Sequence, residues 1–301
     1  MTLQTGMMLL AAKMPLDMMI SKMSEGMVET LKIFLVVYWI EFCIVFCAVL
    51  KYSIKKEEEQ MKFNGKSAFV TGVSHGIGRA IAVQLAKRNC GLMLADIDEN
   101  GLDETAAIVK SYGADVRTYV LDVTDEEAVR SSVADAAEQF GKIDILINNA
   151  GIYNTWKPFT QSISAEWKKK IEVNILGTMY CASAVLPYMI KNHYGRIINI
   201  GSVAGSYGIV NMVDYSMTKG GVIAFTKALA KEMAPYGITV NTVSPGSINV
   251  TADENVMPEH SFMGRAGTPE ECASVVVFLS SDEASYVSGQ DYRVDGCRKK
   301  M

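Results

Sequence analysis

The sequence predicts an α/β fold in which one parallel sheet of about seven strands is covered by helices on both faces, a three-layer doubly wound arrangement. Short apolar runs alternate with longer stretches of helical periodicity over residues 61–301. Glycines also gather where the first apolar run passes into a helical pattern. The length of this region suits one sizeable core. We therefore expect a single domain at 61–301, preceded by an N-terminal extension at 1–60.

Apolar and β-branched runs predict the strands, and the segments between them predict the helices. The first strand is expected at 66–71, and the others at 91–95, 116–121, 143–147, 196–201, 238–243 and 291–294. Helices are expected at 79–88, 101–112, 125–140, 164–190, 215–235 and 269–280. Ligands of doubly wound sheets bind at the carboxyl ends of the strands, so functional residues are expected there.

A glycine-rich turn follows the first predicted strand. Gly72, Gly76 and Gly78 have the spacing Gly-x-x-x-Gly-x-Gly and lead directly into a helical pattern. Glycines let the backbone approach a pyrophosphate, and the amides at the helix N-terminus face its negative charge. An ordinary strand–helix turn has the same composition, so the turn by itself leaves both interpretations open.

An acidic residue at the end of the second predicted strand favours the dinucleotide interpretation. Asp96 stands about 20 residues after the turn, where a carboxylate binds the ribose hydroxyls of NAD. The same carboxylate repels a 2′-phosphate, and Ile97 follows in place of an arginine. His75 and Arg79 are the nearby candidates for a phosphate clamp. We therefore expect NAD to be preferred over NADP.

Tyr215 and Lys219 indicate the chemistry. They are four residues apart, which places them one turn apart on the same face of a helix. An ammonium beside a phenol favours the phenolate, so we expect Lys219 to lower the pKa of Tyr215 from its usual value of about 10. Ser202, if the fold brings it close, holds the oxygen of an alcohol or ketone against the phenol. Such a group interconverts carbonyls and alcohols.

Together these motifs resemble the short-chain dehydrogenase/reductase family. The matching segments are 71–78, 148–151, Asn174, Ser202, Tyr215-x-x-x-Lys219 and Pro245-Gly246, in the family's order and approximate spacing. The resemblance covers about residues 61–301 and implies a Rossmann-type fold with hydride transfer to or from a nicotinamide. It also implies association as homotetramers or homodimers.

The resemblance implies a role for each matching residue. Asn174 would kink a helix and hold a water for proton relay, and Ser202, Tyr215 and Lys219 would complete the catalytic set. Thr251 is the least regular position, because Val250 stands where the family usually has threonine. The implied cofactor contacts are Gly72, Ser74, His75, Gly76, Ile77, Gly78, Asp96, Ile97, Asp122, Val123, Asn149, Ala150, Gly151, Tyr215, Lys219, Pro245, Gly246, Ile248 and Thr251. The implied substrate pocket includes Tyr153, Trp156, Val203, Ala204, Tyr207 and the loop 247–263.

These residues predict an NAD(H)-dependent oxidoreductase acting on a secondary alcohol or a ketone. Sugars or polyols, hydroxysteroids and small diols fit the family's range. One alternative is a 3-oxoacyl-thioester reductase of the same family, against which Asp96 counts because such reductases usually prefer NADPH. The other alternative is a dinucleotide-binding regulatory protein without catalysis, against which the four competent catalytic positions count.

Composition narrows the partners. The net charge is −4 and no basic cluster occurs beyond short lysine groups, which argues against nucleic acid as a partner. The six cysteines lack paired or metal-ligand spacing and the three histidines are dispersed, so no metal site is expected and a reducing compartment is indicated.

Residues 33–50 form a candidate transmembrane helix. This segment is apolar apart from Glu41, and its length of about 27 Å marginally spans a bilayer. Its aliphatic and phenylalanine side chains contribute roughly −4 to −7 kcal/mol, against about 3 kcal/mol for the glutamate. More lysines follow the segment than precede it, which would leave the catalytic domain in the cytoplasm. A start at Met61 in the natural protein, with 1–60 not native, explains the sequence equally well.

Overall fold

The structure is a computed structural model that describes residues 62–153, 156–250 and 260–299, together with positions 26, 38, 39, 42, 45 and 46. The chain divides into two compact units, 1–60 and 61–301. Within the candidate transmembrane segment 33–50, the five described positions are helical and their side chains are exposed. The rest of that segment lies outside the described residues, so its insertion in a membrane stays a prediction.

One parallel sheet of seven strands forms the centre of the second unit. The strands are β1 (Ser67–Thr71), β2 (Gly91–Asp96), β3 (Val116–Val120), β4 (Ile145–Asn148), β5 (Gly195–Ile200), β6 (Ile238–Pro245) and β7 (Asp291–Val294). Their order in the sheet is β3-β2-β1-β4-β5-β6-β7, and every neighbouring pair is parallel. This sheet confirms the predicted fold class.

Helices cover both faces of the sheet. They are α1 (Gly76–Ala86), α2 (Glu99–Lys110), α3 (Glu126–Phe140), α4 (Ser164–Ile171), α5 (Thr178–Asn192), α6 (Val203–Tyr207), α7 (Val213–Met233) and α8 (Pro269–Ser280). One buried cluster joins the sheet to α1, α2 and α8. A second cluster, on the other face, joins it to α3, α5 and α7. The apolar side chains of the strands are thus buried on both sides, as their continuous apolar runs predict.

The predicted helix 164–190 differs from the structure in one respect. A π-helix at Glu172–Gly177 separates α4 from α5, and π-turns of this kind frequently occur at functional sites. The whole stretch Ser164–Asn192 is the one described helix long and apolar enough to cross a membrane, but half of its most apolar window is buried inside the protein. Its composition is therefore that of a core helix.

The order of the strands creates a crevice for a ligand. The chain moves outward from β1 through β2 to β3, and then returns to place β4 on the other side of β1. Connections on the two sides of this reversal leave opposite faces of the sheet, so a gap opens at the carboxyl ends of β1 and β4. The glycine-rich turn at 72–78 lies at this reversal.

Gly78→Ala tests how tightly the turn is packed. A methyl group at Gly78 would overlap the carbonyl oxygen of Gly72, whereas a methyl group at Gly220 in α7 would lie 3.4 Å from its nearest neighbour, the Gly205 carbonyl oxygen. We expect Gly78→Ala to lower the free energy of unfolding by about 1–3 kcal/mol. Gly220→Ala is the control, and as a helical glycine it should be neutral or raise stability by up to about 1 kcal/mol. Equal effects of the two variants in denaturant unfolding would contradict the close packing.

Candidate active site

The glycine-rich turn brings backbone amides to the start of α1. Gly72 and Gly76 have positive φ angles of 70° and 55°, which glycine adopts at no steric cost. A Cβ atom at Gly72 would lie 2.8 Å from the Cα of Ala150. The turn therefore needs glycine at position 72, and it leads directly into the N-terminus of α1, whose backbone amides favour a phosphate.

Asn149 holds the turn in place from the end of β4. Its side-chain amide donates to the carbonyl oxygens of Thr71 (3.1 Å) and Gly72 (2.6 Å). In return, the hydroxyl of Thr71 accepts hydrogen bonds from the backbone amides of Asn149 and Ala150, both at 3.1 Å. These four hydrogen bonds connect the carboxyl ends of β1 and β4 at the point where the strand order reverses.

Asp96 also faces the turn. Its carboxylate accepts the backbone N–H of Ser74 at 2.8 Å and that of Asp98 at 3.0 Å. The hydroxyl of Ser74 donates to the Asp98 carbonyl oxygen at 3.0 Å, so Ser74 links the turn to the end of β2. His75 and Ile97 are both exposed beside this contact.

Arg79 is engaged by α2. Its guanidinium forms an ion pair with Glu104 at 2.9 Å and a hydrogen bond of 2.9 Å to the hydroxyl of Thr105. A guanidinium already paired with a carboxylate is a poorer partner for a phosphate. These contacts already engage Arg79, so it is a weaker candidate for binding a cofactor phosphate.

Asp122 and Val123 lie just beyond the carboxyl end of β3. Burial disfavours the carboxylate of Asp122, but two hydrogen bonds from Thr124 and the charge of Lys169, 4.0 Å away, outweigh it and lower its pKa. Val123 packs on the π-helix, where a Cβ atom at Gly177 would lie 2.7 Å from its methyl carbon.

Three predicted catalytic side chains meet beyond the end of β5. Ser202 caps α6, and its hydroxyl accepts the backbone N–H of Ala204 at 3.1 Å. The same hydroxyl lies close enough to the phenol of Tyr215 to lower the pKa of that phenol. The ammonium of Lys219 donates to the carbonyl oxygen of Ile200 at 2.7 Å and lies 5.9 Å from the centre of the Tyr215 ring.

Burial acts on the pKa values of Tyr215 and Lys219 in opposite directions. It raises the pKa of Tyr215, an effect that the nearby Ser202 hydroxyl partly offsets and Tyr153 reinforces. It lowers the pKa of Lys219 to about 8. The predicted lowering of the Tyr215 pKa by Lys219 is therefore wrong for the protein's own groups, because desolvation of the phenol exceeds any effect of the ammonium.

Asn174 is fully buried in the π-helix. Its side-chain oxygen accepts the N–H of Ile152 at 2.8 Å, and its side-chain nitrogen donates to the carbonyl of Ile152 at 2.9 Å and to the hydroxyl of Thr218 at 3.1 Å. The amide thus pairs with the backbone beyond β4 and joins it to α7. These contacts are those of a residue that positions the site. The water relay implied for Asn174 stays a prediction.

A buried ion pair anchors the start of α7. The ammonium of Lys170 lies 2.6 Å from the carboxylate of Asp214, and both side chains are nearly inaccessible to solvent. The other oxygen of Asp214 accepts the backbone N–H of Tyr215 at 2.8 Å. Asp214 therefore orients the first turn of the helix that carries Tyr215 and Lys219.

A cavity of about 510 Å³ opens above these residues. It contains the predicted positions Ile77, Asn149, Gly151, Ser202, Tyr215, Lys219, Pro245, Gly246 and Ile248, and the predicted wall residues Tyr153, Trp156 and Val203. Ala204 and Tyr207 do not line it, because Ala204 is buried and the Tyr207 hydroxyl contacts Arg293. Thr251 lies outside the described residues.

Sequence reasoning missed several wall residues of this cavity. Ile209 and Met212, from the segment between α6 and α7, extend its apolar surface. Arg298, near the C-terminus, adds a guanidinium. No periodicity or motif marked these positions.

Comparisons with known proteins found similar sequences over the second unit. The family described as enoyl-(acyl carrier protein) reductase matches residues 72–297. The chain is 37% identical over 244 residues to 3-oxoacyl-[acyl-carrier-protein] reductase FabG of Thermotoga maritima, and 39% identical over 243 residues to FabG of Escherichia coli. Each match covers 78% of this chain and 98% of the relative.

Solved structures show the same architecture. The crystal structure of NAD+-bound xylitol dehydrogenase is similar with a TM-score of 0.75 and 36% identity, over 78% of this chain and 99% of that one. Levodione reductase is similar with a TM-score of 0.74 and 34% identity, over 78% of this chain and 98% of that one. Both likenesses extend over nearly the whole catalytic unit.

The sheet reversal, the glycine-rich turn and the Ser202–Tyr215–Lys219 cluster define an oxidoreductase that uses a nicotinamide dinucleotide. With the comparisons, the assignment is specific: the chain belongs to the short-chain dehydrogenase/reductase family. Its residues fit the cofactor, because the cradle at Gly72 excludes a side chain and the N-terminus of α1 faces the space that a pyrophosphate would need.

The pKa of Lys219 predicts a pH-dependent stability. Between pH 8 and 10.5 the unfolded chain holds a proton that the buried amine has lost, so the contribution of Lys219 to the free energy of unfolding rises with pH in this window. The advantage of a Lys219→Met variant over wild type should be greatest below pH 8 and shrink towards pH 10.5. Denaturant unfolding at several pH values measures this difference. Lys227→Met, an exposed change on the same helix, should give a constant offset, and parallel curves for Lys219→Met would refute the burial effect.

Proposed function

We propose that this protein is an NAD(H)-dependent oxidoreductase that interconverts a secondary alcohol and a ketone. The convergence of Ser202, Tyr215 and Lys219 on one cavity at the strand ends carries this proposal. A nicotinamide dinucleotide, when bound, gives or takes the hydride. The protein then has to hold the substrate oxygen and supply or remove one proton.

The roles of the three side chains follow from their surroundings. Tyr215 exchanges the proton with the substrate oxygen, and Ser202 holds that oxygen against the phenol. Because its pKa is raised, Tyr215 keeps its proton at neutral pH and is ready to donate it to a carbonyl. Lys219, tied to the Ile200 carbonyl, places a positive charge beside the phenol and favours the phenolate after donation.

Two features support NAD over NADP. The carboxylate of Asp96 stands at the end of β2, where it would accept hydrogen bonds from ribose hydroxyls and repel a 2′-phosphate. Arg79, the nearest guanidinium to the turn in sequence, is paired with Glu104. The implied contacts of His75, Ile97, Asp122 and Val123 with the cofactor belong to this proposal.

A second candidate is a 3-oxoacyl-thioester reductase. The relatives of 37–39% identity bear that name, and the matching family is described by a reaction on acyl carrier protein. The NAD+-bound xylitol dehydrogenase, at 36% identity, favours a small polyol instead. Because the chain is about equally identical to both classes, the overall fold does not choose between these substrates. The residues that line the cavity determine which substrate binds.

Two statements about the whole protein extend the proposal. The catalytic unit associates as homotetramers or homodimers in the cytoplasm, and residues 33–50 anchor it to a membrane if residues 1–60 are native. Light scattering of the purified chain measures the first. Comparing membrane and soluble fractions of the expressed full-length chain, with mass spectrometry of the natural N-terminus, tests the second.

Tyr215→Phe tests the chemistry. Loss of the hydroxyl removes the proton donor and leaves the ring, so kcat should fall by at least about 100-fold. The Kd for NADH, measured by fluorescence titration, should stay within about threefold of wild type because the cofactor contacts remain. Tyr286→Phe, an equal change at a fully exposed ring, is the control. Wild-type turnover in Tyr215→Phe would overturn the mechanism.

Asp96→Asn tests the cofactor preference. Removing the charge should lower kcat/KM for NADH by about tenfold and raise kcat/KM for NADPH. The ratio of the two values, which measures the preference for NADH, should therefore fall. Asp103→Asn, an exposed change on α2, should leave both values unchanged.

Assays with xylitol, small ketones and acetoacetyl-CoA, each run with both cofactors, separate the two candidate functions. A wild-type enzyme that uses NADPH better than NADH would contradict the proposal for Asp96.

A further inference from the structure

Arg298 is a cationic side chain in the wall of the catalytic cavity that the mechanism does not use. It lines the same cavity as Ser202 and Tyr215 and is partly buried. Its guanidinium donates one hydrogen bond, of 3.3 Å, to the hydroxyl of Ser247. It forms no ion pair with any described residue. Most of its five N–H donors are therefore available to a ligand.

The backbone around Arg298 is held firmly. Residues 296–299 run beside residues 260–263, with hydrogen bonds from Phe262 N to Cys297 O (3.0 Å), Met263 N to Gly296 O (3.2 Å) and Lys299 N to His260 O (2.9 Å). Ser261 and Arg298 form an antiparallel bridge. This short ribbon brings Arg298 and His260 to the cavity together, so the placement of the guanidinium is a property of the fold.

The charged side chains among the described residues of the cavity wall are all basic. Among the described residues that line it, Lys219 and Arg298 are cations, His260 adds an imidazole, and none is an aspartate or glutamate. The ammonium of Lys219 already donates to the Ile200 carbonyl beneath the phenol. Much of the remaining wall is apolar, including Trp156, Ile209 and Met212. A guanidinium in such surroundings is best satisfied by an anion.

We infer that Arg298 binds an anionic group of the substrate, so that this enzyme acts on oxo or hydroxy compounds bearing a carboxylate or a phosphate. The inference rests on the proposed function and names the substrate class of the same cavity. Arg298 would then orient the substrate so that its carbonyl reaches Ser202 and Tyr215. Neutral polyols and simple ketones lack the group that this contact requires.

The anion has two candidate sources, which the choice of substrate separates. A carboxylate on the substrate's own chain would lie a fixed distance from the reacting carbonyl. Pyruvate, acetoacetate and levulinate carry the two groups at increasing separations, and each has a neutral methyl ester of nearly the same shape. A phosphate on a thioester carrier is present in acetoacetyl-CoA and absent from the acetoacetyl thioester of N-acetylcysteamine.

The experiment compares kcat/KM for each charged and neutral pair in wild type, Arg298→Met, Arg298→Lys and Lys299→Met, with NADH as reductant. Wild type should prefer at least one charged member by about tenfold or more, and Arg298→Met should lose about 10- to 100-fold on that member. The neutral member should change by less than about threefold, and Arg298→Lys should restore part of the loss. Lys299→Met changes the exposed neighbouring residue and should behave as wild type.

Three results would overturn the inference: a wild-type enzyme without preference for any charged member, equal losses on both members of a pair in Arg298→Met, or a rise of about tenfold or more in the Kd for NADH in that variant. The last result would assign Arg298 to the cofactor phosphates. If wild type reduces no compound of the panel, the proposed function fails separately. Calorimetric titration of the NADH complexes with acetoacetate then decides, because binding at least about tenfold tighter to wild type than to Arg298→Met supports the inference and equal binding refutes it.

Discussion

The hydrogen bond from the ammonium of Lys219 to the carbonyl of Ile200 is the contact on which the catalytic geometry depends. A buried ammonium needs a partner, and this one has the last residue of β5 as its acceptor. The bond fixes α7 over the end of the central sheet, and Tyr215, one turn earlier, is held above the same strand end. Ser202 follows β5 directly, so its hydroxyl reaches the phenol without a long connection. One strand end therefore positions both Tyr215, the proposed proton donor, and Ser202, the proposed partner of the substrate oxygen.

Two buried polar contacts support this arrangement from the neighbouring helices. Lys170 and Asp214 pair at 2.6 Å, and Asp214 also binds the amide of Tyr215. Removing one member of a buried pair typically costs about 3–5 kcal/mol because the other charge is stranded. In the π-helix, Asn174 binds the backbone of Ile152 through both atoms of its amide. Together these contacts fix the start of α7 and the segment beyond β4, so the cavity wall and the catalytic helix are positioned by the same buried network.

The sequence predicted most of the fold, since the apolar runs and helical periods correspond to strands and helices that bury those faces. The order of the strands in the sheet could not be predicted from the sequence, because strand pairing depends on contacts between distant segments. The spacing of Tyr215 and Lys219 on one helix predicted that they share a face, and the structure brings both to one cavity with Ser202, while their catalytic roles stay a prediction. The pKa of Tyr215 was predicted in the wrong direction, since burial, which the sequence does not display, dominates it. Arg298 was missed for a related reason: only the ribbon with residues 260–263 brings the C-terminal segment to the cavity.

Burial shifts the protonation equilibria of Tyr215 and Lys219 in opposite directions. The same desolvation that keeps the phenol of Tyr215 protonated makes the ammonium of Lys219 easier to deprotonate, with a pKa of about 8. Tyr215 therefore holds its proton at neutral pH, and in the proposed reaction it would donate that proton while the neighbouring charge of Lys219 stabilises the phenolate. In the proposed reaction, oxidation of an alcohol would need the phenolate, and burial of the phenol raises the pH at which that phenolate forms. For the reaction proposed above, these pKa directions would favour the protonated Tyr215 that carbonyl reduction needs near neutrality.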